Sequence, residues 1–361
     1  MSAAEPGSLS SLIARRLREA GGWWPFDRFM AAALYEPGLG YYARGGTVIG
    51  RMPAGGSDFV TAPELSPLFG AALARQVAQA LGAAGARDVW EFGAGTGALA
   101  EQLLGALDAD IRYHVVDLSG ALAARQRERL ARFAPRVTWH AQLPDAICGV
   151  VVGNEVLDAM PVQLLHFDGA RWFERGVAPD GERFAWADRP TELRPPVDAA
   201  YVPGTTVELH AQAEAFVRTL VERLTKGAMF FIDYGFPEAE YYHPQRTGGT
   251  LMCHQGHRAD MDPLVDVGAK DITAHVDFTG IALAGQDAGA QVIGYTSQAR
   301  FLMNCGLLEM LRGADLRSTA NAQKLLTEHE MGELFKVIGL AKNIDLADPL
   351  GFTSGDRTHT L

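Results

Sequence analysis

The sequence predicts an α/β fold built on a doubly wound parallel sheet, and three observations carry that reading. From residue 87 onward, short apolar runs alternate with stretches of helical periodicity, the pattern of a parallel sheet covered by helices. One such run leads directly into a glycine-rich turn at Gly93, Gly95 and Gly97 and then into a helix. The composition is that of a chain with a real core, 361 residues of which 48% are apolar and 21% charged. That length permits two domains or one large α/β domain with insertions.

Before the sheet begins, a helix is expected over 9–20, followed by a dense aromatic stretch (Trp23, Trp24, Phe26, Phe29, Tyr35, Tyr41, Tyr42) read as the core of a helical lid. A glycine-rich loop occupies 45–57. Ser66 and Pro67 supply an N-cap and first-turn proline for a helix over 66–81. The strands are expected at 88–92, 112–117, 137–140, 149–154, 229–233, 291–296 and 334–341, with helices at 98–107, 119–132, 208–225, 297–304 and 319–332. Seven strands in this order suit a doubly wound sheet whose last two strands pair like a hairpin. The organisation is therefore a helical lid segment over 1–86 and a sheet domain over 87–361. Insertions interrupt that domain at about 162–207, where Asp168-Gly169 signals a hairpin, and at 236–290, with a helix near 277–288. Substrate specificity would be built in these insertions.

Charge and cysteine content exclude several classes. Lys and Arg number 32 against 43 Asp and Glu, a formal charge of −11. So acidic a chain is a poor non-specific polyanion binder, which argues against nucleic acid or anionic membrane as bulk partners and leaves room only for a local basic groove. Cys148, Cys253 and Cys305 lie far apart with no CxxC, which fits a reducing compartment. No run approaches the ~18 apolar residues of a membrane span. The N-terminus has Arg15, Arg16 and Arg18 but no apolar centre, and Glu5 and Glu19 count against a presequence. The expected location is cytoplasmic, or the mitochondrial matrix in a eukaryotic cell.

The glycine turn places backbone N–H groups at a helix N-terminus, where a ligand can approach closely. Gly93, Gly95 and Ala98 fit the dinucleotide pattern G-x-G-x-x-A. With Glu91 the same turn fits the acidic-x-G-x-G-x-G pattern of class I S-adenosylmethionine (SAM) methyltransferases. Asp117 ends the next strand, where a carboxylate accepts the hydroxyls of a ribose in both folds, and Leu118 follows it as a further cofactor contact. The turn alone does not choose between them. Position argues against the dinucleotide reading, because ~86 residues precede this strand, whereas a dinucleotide fold usually opens with it.

The fourth strand ends in Asn154-Glu155, with Asp158 three residues on and Pro161 closing the turn. Polar groups just past the carboxyl end of a strand at the switch point face the ligand crevice. N-methyltransferases hold groups there that grip the acceptor nitrogen beside the methyl, with Asn154 on the cofactor side. The alternative is that Glu155 and Asp158 form a solvated first turn of a helix, where the dipole favours carboxylates.

GSDFVTAPELSPLFG, VWEFGAGTGALA, VVGNEVLDAMPV, FFIDYGF and DITAHVDFT, in this order, resemble the MidA-type family. It comprises the mitochondrial complex I assembly-factor arginine methyltransferase and bacterial relatives, and the likeness runs from FMAAALYEPGLGYY to FLMNCGLL. The resemblance implies a class I, Rossmann-like methyltransferase fold, SAM as cofactor and a protein arginine acceptor on a complex I subunit. It also places the Thr61 segment over the cofactor. The long loop at 45–57 departs from the pattern.

In DITAHVDF, Asp271, Thr273, His275 and Asp277 alternate with apolar residues and would share one face of an extended segment. His275 between two carboxylates could accept a proton or orient the acceptor; alternatively Asp271 or Thr273 caps a helix and His275 is a structural hydrogen-bonder. Cys253, His254 and His257 lie nearby without tetrahedral metal spacing, and no metal is expected. Tyr234, after Asp233, either lines the acceptor mouth or packs. The expected activity is SAM-dependent N-methyl transfer to a protein arginine, with Glu155, Asp158 and His275 as acceptor-side residues. Thr61, Glu91, Gly93, Gly95, Gly97, Asp117, Leu118 and Asn154 are expected on the cofactor side. The alternatives are an NAD(P)-dependent oxidoreductase and a non-catalytic assembly chaperone. The expected partner is a protein substrate, and a homodimer is compatible with the sequence.

Overall fold

The computed structural model describes residues 8–44, 60–117, 120–256, 258–313 and 315–361. The 45–57 loop, Leu118 and His257 lie outside the described residues. The central sheet consists of β1 (Asp88–Phe92), β2 (Arg112–Val116), β3 (Val137–His140), β4 (Ile147–Asn154), β5 (Leu224–Phe236), β6 (Gln291–Ser297) and β7 (Phe335–Lys342). Their spatial order is β6-β7-β5-β4-β1-β2-β3, and a two-residue strand, Val276–Asp277, adds parallel pairing to the end of β5. β1 to β5 pair in parallel, whereas β7 runs antiparallel to both β5 and β6. The order reverses between β1 and β4, so the crevice beyond their carboxyl ends is where a ligand belongs.

Helices cover both faces, which is why β4 and β5 read as continuous apolar runs. The chain-order helices are α1 (Leu9–Glu19), α2 (Phe26–Tyr35), α3 (Pro67–Ala84), α4 (Ala98–Ala106), α5 (Gly120–Arg129), α6 (Ala211–Arg223), α7 (Phe278–Asp287), α8 (Gln298–Asn304) and α9 (Leu316–Leu326). One face packs Val89, Val150 and Phe230 against α3 and α4; the other packs Val151, Met229 and Phe231 against α6 and α7. α3 starts as its sequence dictates, with Ser66 accepting from the Leu68 N–H and Pro67 in the first turn.

The described part of the first 86 residues is divided between two cores. α3 belongs to the sheet, while α1 and α2 bury Ile13, Leu17, Phe29 and Met30 against Val162, Val177 and Ile272 of the insertions. The first insertion carries the hairpin Gln163–Phe167 and Trp172–Asp180, extended by Arg183–Pro190, Thr206–Leu209 and Trp24–Pro25 into a five-stranded sheet. The second forms a three-stranded sheet of Met252–Gln255, Arg258–Asp260 and Asp271–Thr273. α9 begins earlier and ends earlier than its periodicity predicts. Asp315 caps it by accepting from the Ser318 N–H at 2.7 Å, and Thr327 turns extended (ψ 132°) after it.

Candidate active site

A cavity of about 590 Å³ opens beyond the carboxyl ends of β1, β2, β4 and β5, a size suited to a small-molecule site. Thr61, Glu91, Gly93, Gly95, Asp117, Asn154, Glu155, Asp158 and His275 all line it. Gly97 does not: it is the N-cap of α4, at φ +83°, where its freedom lets the turn enter the helix. Tyr35 and Tyr42, stacked at 5.7 Å, and Asp271 and Thr273 close the cavity from the lid and insertion side.

The glycine turn is held in place from two directions. Gly93 and Gly95 sit at φ +64° and +52°, and a Cβ on Gly93 would meet Val156 Cγ2 at 2.9 Å. Arg129 of α5 reaches Glu64 at 2.6 Å, Thr96 Oγ1 at 2.5 Å and Glu101 at 3.0 Å, and the Thr96 hydroxyl also donates to Glu64. Glu64 lies in the short helix Ala62–Leu65, so this network clips the segment after Thr61 onto the turn. Gln126 was not singled out by the sequence, yet it orients Asp117. Its amide donates to Asp117 Oδ2 at 2.8 Å and to the Gly95 carbonyl at 3.0 Å, while its own oxygen accepts from Trp139 Nε1 at 3.1 Å. Glu91 lies beneath the turn, buried, accepting from the Tyr113 hydroxyl at 2.9 Å; burial pushes its carboxyl up to about 8.

Glu155 and Asp158 do not begin a helix. The chain makes a tight turn with Glu155 at φ +53° and continues into the strand Gln163–Phe167. Buried Asp233 dictates that turn: its Oδ2 accepts from the N–H groups of Val156, Leu157 and Asp158 at 3.1, 2.9 and 3.2 Å. Its place at the carboxyl end of the strand beside β4 was the signal available in the sequence. Asn154 Nδ2 donates to Glu155 Oε1 at 3.0 Å, and the Tyr234 hydroxyl donates to Asp158 Oδ2. Burial raises Asp158 to about 6; burial, then Asp158 and Asp271, raise Glu155 to about 8.

His275 follows a segment tied to the same turn, since the Ala274 N–H donates to the Asp158 carbonyl at 3.0 Å. The His275 ring stacks on Phe236 (5.3 Å, 9°) and meets Tyr234 edge-on, and its backbone N–H donates to Thr250 Oγ1 at 3.0 Å. Burial, with Arg246 and Lys336 nearby, lowers it to about 4, so the ring is neutral. Asp277, expected on the same face, instead caps α7 through the Thr279 and Gly280 N–H groups. Neither Asp271 nor Thr273 caps that helix. Cys253 is buried beside this segment, and His254 lines the cavity.

Five carboxylates, Glu91, Asp117, Glu155, Asp158 and Asp271, thus line one cavity, and no lysine or arginine is among its described lining residues. A dinucleotide would bring a pyrophosphate against this acidic lining, with no lysine or arginine among the described lining residues to meet it. A ligand with a positive centre suits this acidic lining better, and Asp117, Thr61, Gly93 and Gly95 line the same cavity. Sheet order, glycine turn and acidic cavity together define an α/β methyltransferase that uses SAM.

Residues 72–296 match the Methyltransf_28 family of S-adenosyl-L-methionine-dependent methyltransferases, and the chain belongs to that family. It is similar to a COG1565 superfamily protein from Burkholderia thailandensis crystallised with S-adenosyl-homocysteine. Identity is 52%, the TM-score 0.93, and the match covers 98% of this chain and 96% of that one. It is also 27% identical to the protein named protein arginine methyltransferase NDUFAF7 homolog, mitochondrial, of Drosophila melanogaster, across 96% of this chain and 89% of that protein. The Caenorhabditis elegans protein of the same name is 27% identical across 79% of this chain and 73% of its own length. No helix among the described residues is long and apolar enough to cross a membrane.

Proposed function

We propose that this methyltransferase modifies a guanidinium nitrogen of an arginine in a protein. The observation that carries the proposal is the row of cavity carboxylates, with no lysine or arginine among the described lining residues. Burial holds Glu155 and Asp158 above the usual carboxylate range, Asp158 adds to the rise at Glu155, and a cationic side chain favours the ionised form of both as it enters. The names of the Drosophila and Caenorhabditis relatives point the same way.

SAM, when bound, supplies a methyl group on a positively charged sulfur. The protein's share is then to orient the nucleophile, exclude water and deal with a proton. Asp117 and the glycine turn hold the cofactor, with Thr61, Glu91 and Asn154 beside it. Glu155 and Asp158 accept N–H groups of the guanidinium, localise its charge and leave one nitrogen facing the methyl. A carboxylate with its pKa pushed towards neutrality can take the proton that this nitrogen loses. Neutral His275 packs against Tyr234 and shapes the acceptor wall. The seven strands β1 to β7 form the Rossmann-like class I arrangement, and α1, α2 and the insertions act as the lid. A respiratory complex I subunit is the acceptor that the family resemblance implies, in the cytosol of a bacterium or in the matrix of a eukaryote.

The test is mass spectrometry of cells with and without the gene, combined with SAM turnover on arginine and lysine peptides. Gene-dependent methylarginine supports the proposal. Methyllysine, or methylation of a small molecule alone, overturns it.

A further inference from the structure

Beside the catalytic cavity lies a larger groove of about 1070 Å³. The two are continuous, since Val60, Pro63 and Met331 line both. One wall is the segment from Pro63 to the start of α3, and the other is α9. α9 contributes Arg317, Ser318, Asn321 and Lys324, offsets of 0, 1, 4 and 7 that share one side of a helix. Ala322 and Leu325 bury the adjacent side.

The groove differs from the cavity in charge. Its inner arginines, Arg129 and Arg132, are paired with Glu64 and Glu101. Arg317 and Lys324 are exposed and form no ion pair within 4 Å among the described residues, although the α9 cap Asp315, two residues before Arg317, feels its charge, which, after the Ser318 N–H, helps to lower that carboxyl. Glu330 is the remaining carboxylate among the described lining residues. In a chain of formal charge −11, this is a local positive rim leading out of a negative cavity.

We propose that this groove carries the stretch of the acceptor polypeptide next to the methylated residue and selects acidic side chains in it. The proposal rests on the acceptor being a polypeptide. A cationic residue in the acidic cavity with an acidic flank over Arg317 and Lys324 sets opposite charges against each other at both ends, whereas a basic flank meets like charge. The two cations are separated by about 10 Å along the helix axis, the length of about three extended residues. Asn321 lies between them and can bond the backbone of such a segment.

The test uses two fluorescein-labelled 15-residue peptides, each with one central arginine. One carries aspartate at the three positions beginning three residues from the arginine on either side; the other carries asparagine there. Anisotropy is read with saturating S-adenosyl-homocysteine at low salt. The wild-type protein should bind the aspartate peptide about fivefold more tightly, as two exposed ion pairs imply. Arg317→Glu/Lys324→Glu should abolish or reverse that preference, with S-adenosyl-homocysteine affinity and melting temperature unchanged. Equal binding of the two peptides, no binding of either, or a preference that survives in the double variant overturns the groove. Turnover with SAM separates this from the activity. Flank-dependent binding without arginine methylation leaves the groove standing and removes the arginine proposal. Methylation of both peptides with equal kcat/KM does the reverse.

Discussion

The Tyr234 hydroxyl donates to Oδ2 of Asp158, while Oδ1 of the same carboxylate is buried with no hydrogen-bond partner among the described residues. A buried acceptor left unpaired is costly, and a carboxylate more so than a neutral group. Oδ1 is therefore the atom of this wall most in need of an N–H from a ligand. Asp158→Asn keeps an acceptor for Tyr234 but removes the charge, and should lower acceptor kcat/KM at least ~100-fold, about 2.7 kcal/mol. SAM affinity should stay within about threefold, because the proposed cofactor contacts, Gly93, Gly95 and Asp117, follow β1 and β2. Single-turnover rates and calorimetry on the same preparation check both halves; a loss of SAM binding equal to the loss of rate would move Asp158 to the cofactor side.

Asp117 and Gln126 make a graded pair. Asp117→Ala should weaken SAM by roughly 1.5–3 kcal/mol without unfolding the protein, the scale of a lost charge-assisted hydrogen bond. Gln126→Leu keeps the Asp117 carboxylate and removes the amide that orients it and bonds the Gly95 carbonyl, so its cost to SAM binding should be smaller, about 0.5–1.5 kcal/mol. Calorimetric titration with SAM reads both. An unchanged Asp117→Ala affinity would remove the ribose assignment.

Gly95 turns at φ +52° in the cavity wall, a conformation a β-branched residue resists. Gly95→Val should abolish SAM binding while leaving most of the helical circular dichroism intact. A variant that binds SAM normally would place the cofactor elsewhere.

The sheet was legible in the sequence because its strands are buried on both faces and read as uninterrupted apolar runs, as in GVVVG before Asn154. The glycine turn was legible because positive φ leaves a glycine signature. The strands of the insertions were harder to see. Thr206–Leu209 is four residues long and pairs with the distant Gln163–Phe167, so neither period nor flanking turns announce it; Arg183–Pro190 is exposed along most of its length but pairs with Trp172–Asp180 across a tight turn, and Asp180-Gly181 was the signal available for it. Gln126 and Asp233 escaped for another reason. Each acts on a segment far away in sequence, Asp233 on the turn at 156–158 and Gln126 on the Gly95 carbonyl, and no local pattern encodes that pairing.

Glu91 predicts a pH dependence of stability. Its carboxyl is 3% exposed and raised from 4.5 to about 8 by burial, so the folded protein holds a proton that the unfolded chain releases at lower pH. The contribution is fully present below about pH 4.5 and is lost as pH rises through about 8. Glu91→Gln keeps an acceptor for Tyr113 and cannot ionise. Relative to wild type it should gain a few kcal/mol of unfolding free energy between pH 5 and pH 8.5, measured without ligand by denaturant titration. The same difference at both pH values would show that Glu91 does not titrate in this range.

Glu155 is the residue on which the arginine proposal depends most. Asp233 fixes the backbone that follows it, its own N–H is held by the Ile232 carbonyl at 2.9 Å, and Asn154 holds one carboxylate oxygen. The carboxylate is thus aimed before any acceptor arrives, which is how a site lowers the cost of orienting a guanidinium. Glu155→Gln preserves shape and hydrogen-bonding capacity but removes the charge. It should lower kcat at least ~100-fold with an arginine peptide while leaving SAM affinity within about a factor of three. Ligand-free Glu155 is raised to about 8, chiefly by burial, and must ionise to meet the cation. Wild-type acceptor kcat/KM should therefore climb with pH and level off above about 8, because that parameter reports the free enzyme. The variant should lose that limb of the profile. If Glu155→Gln methylates at the wild-type rate with the climb intact, the titrating group is another carboxylate of the cavity, and Asp158 or Asp271 must carry the guanidinium instead.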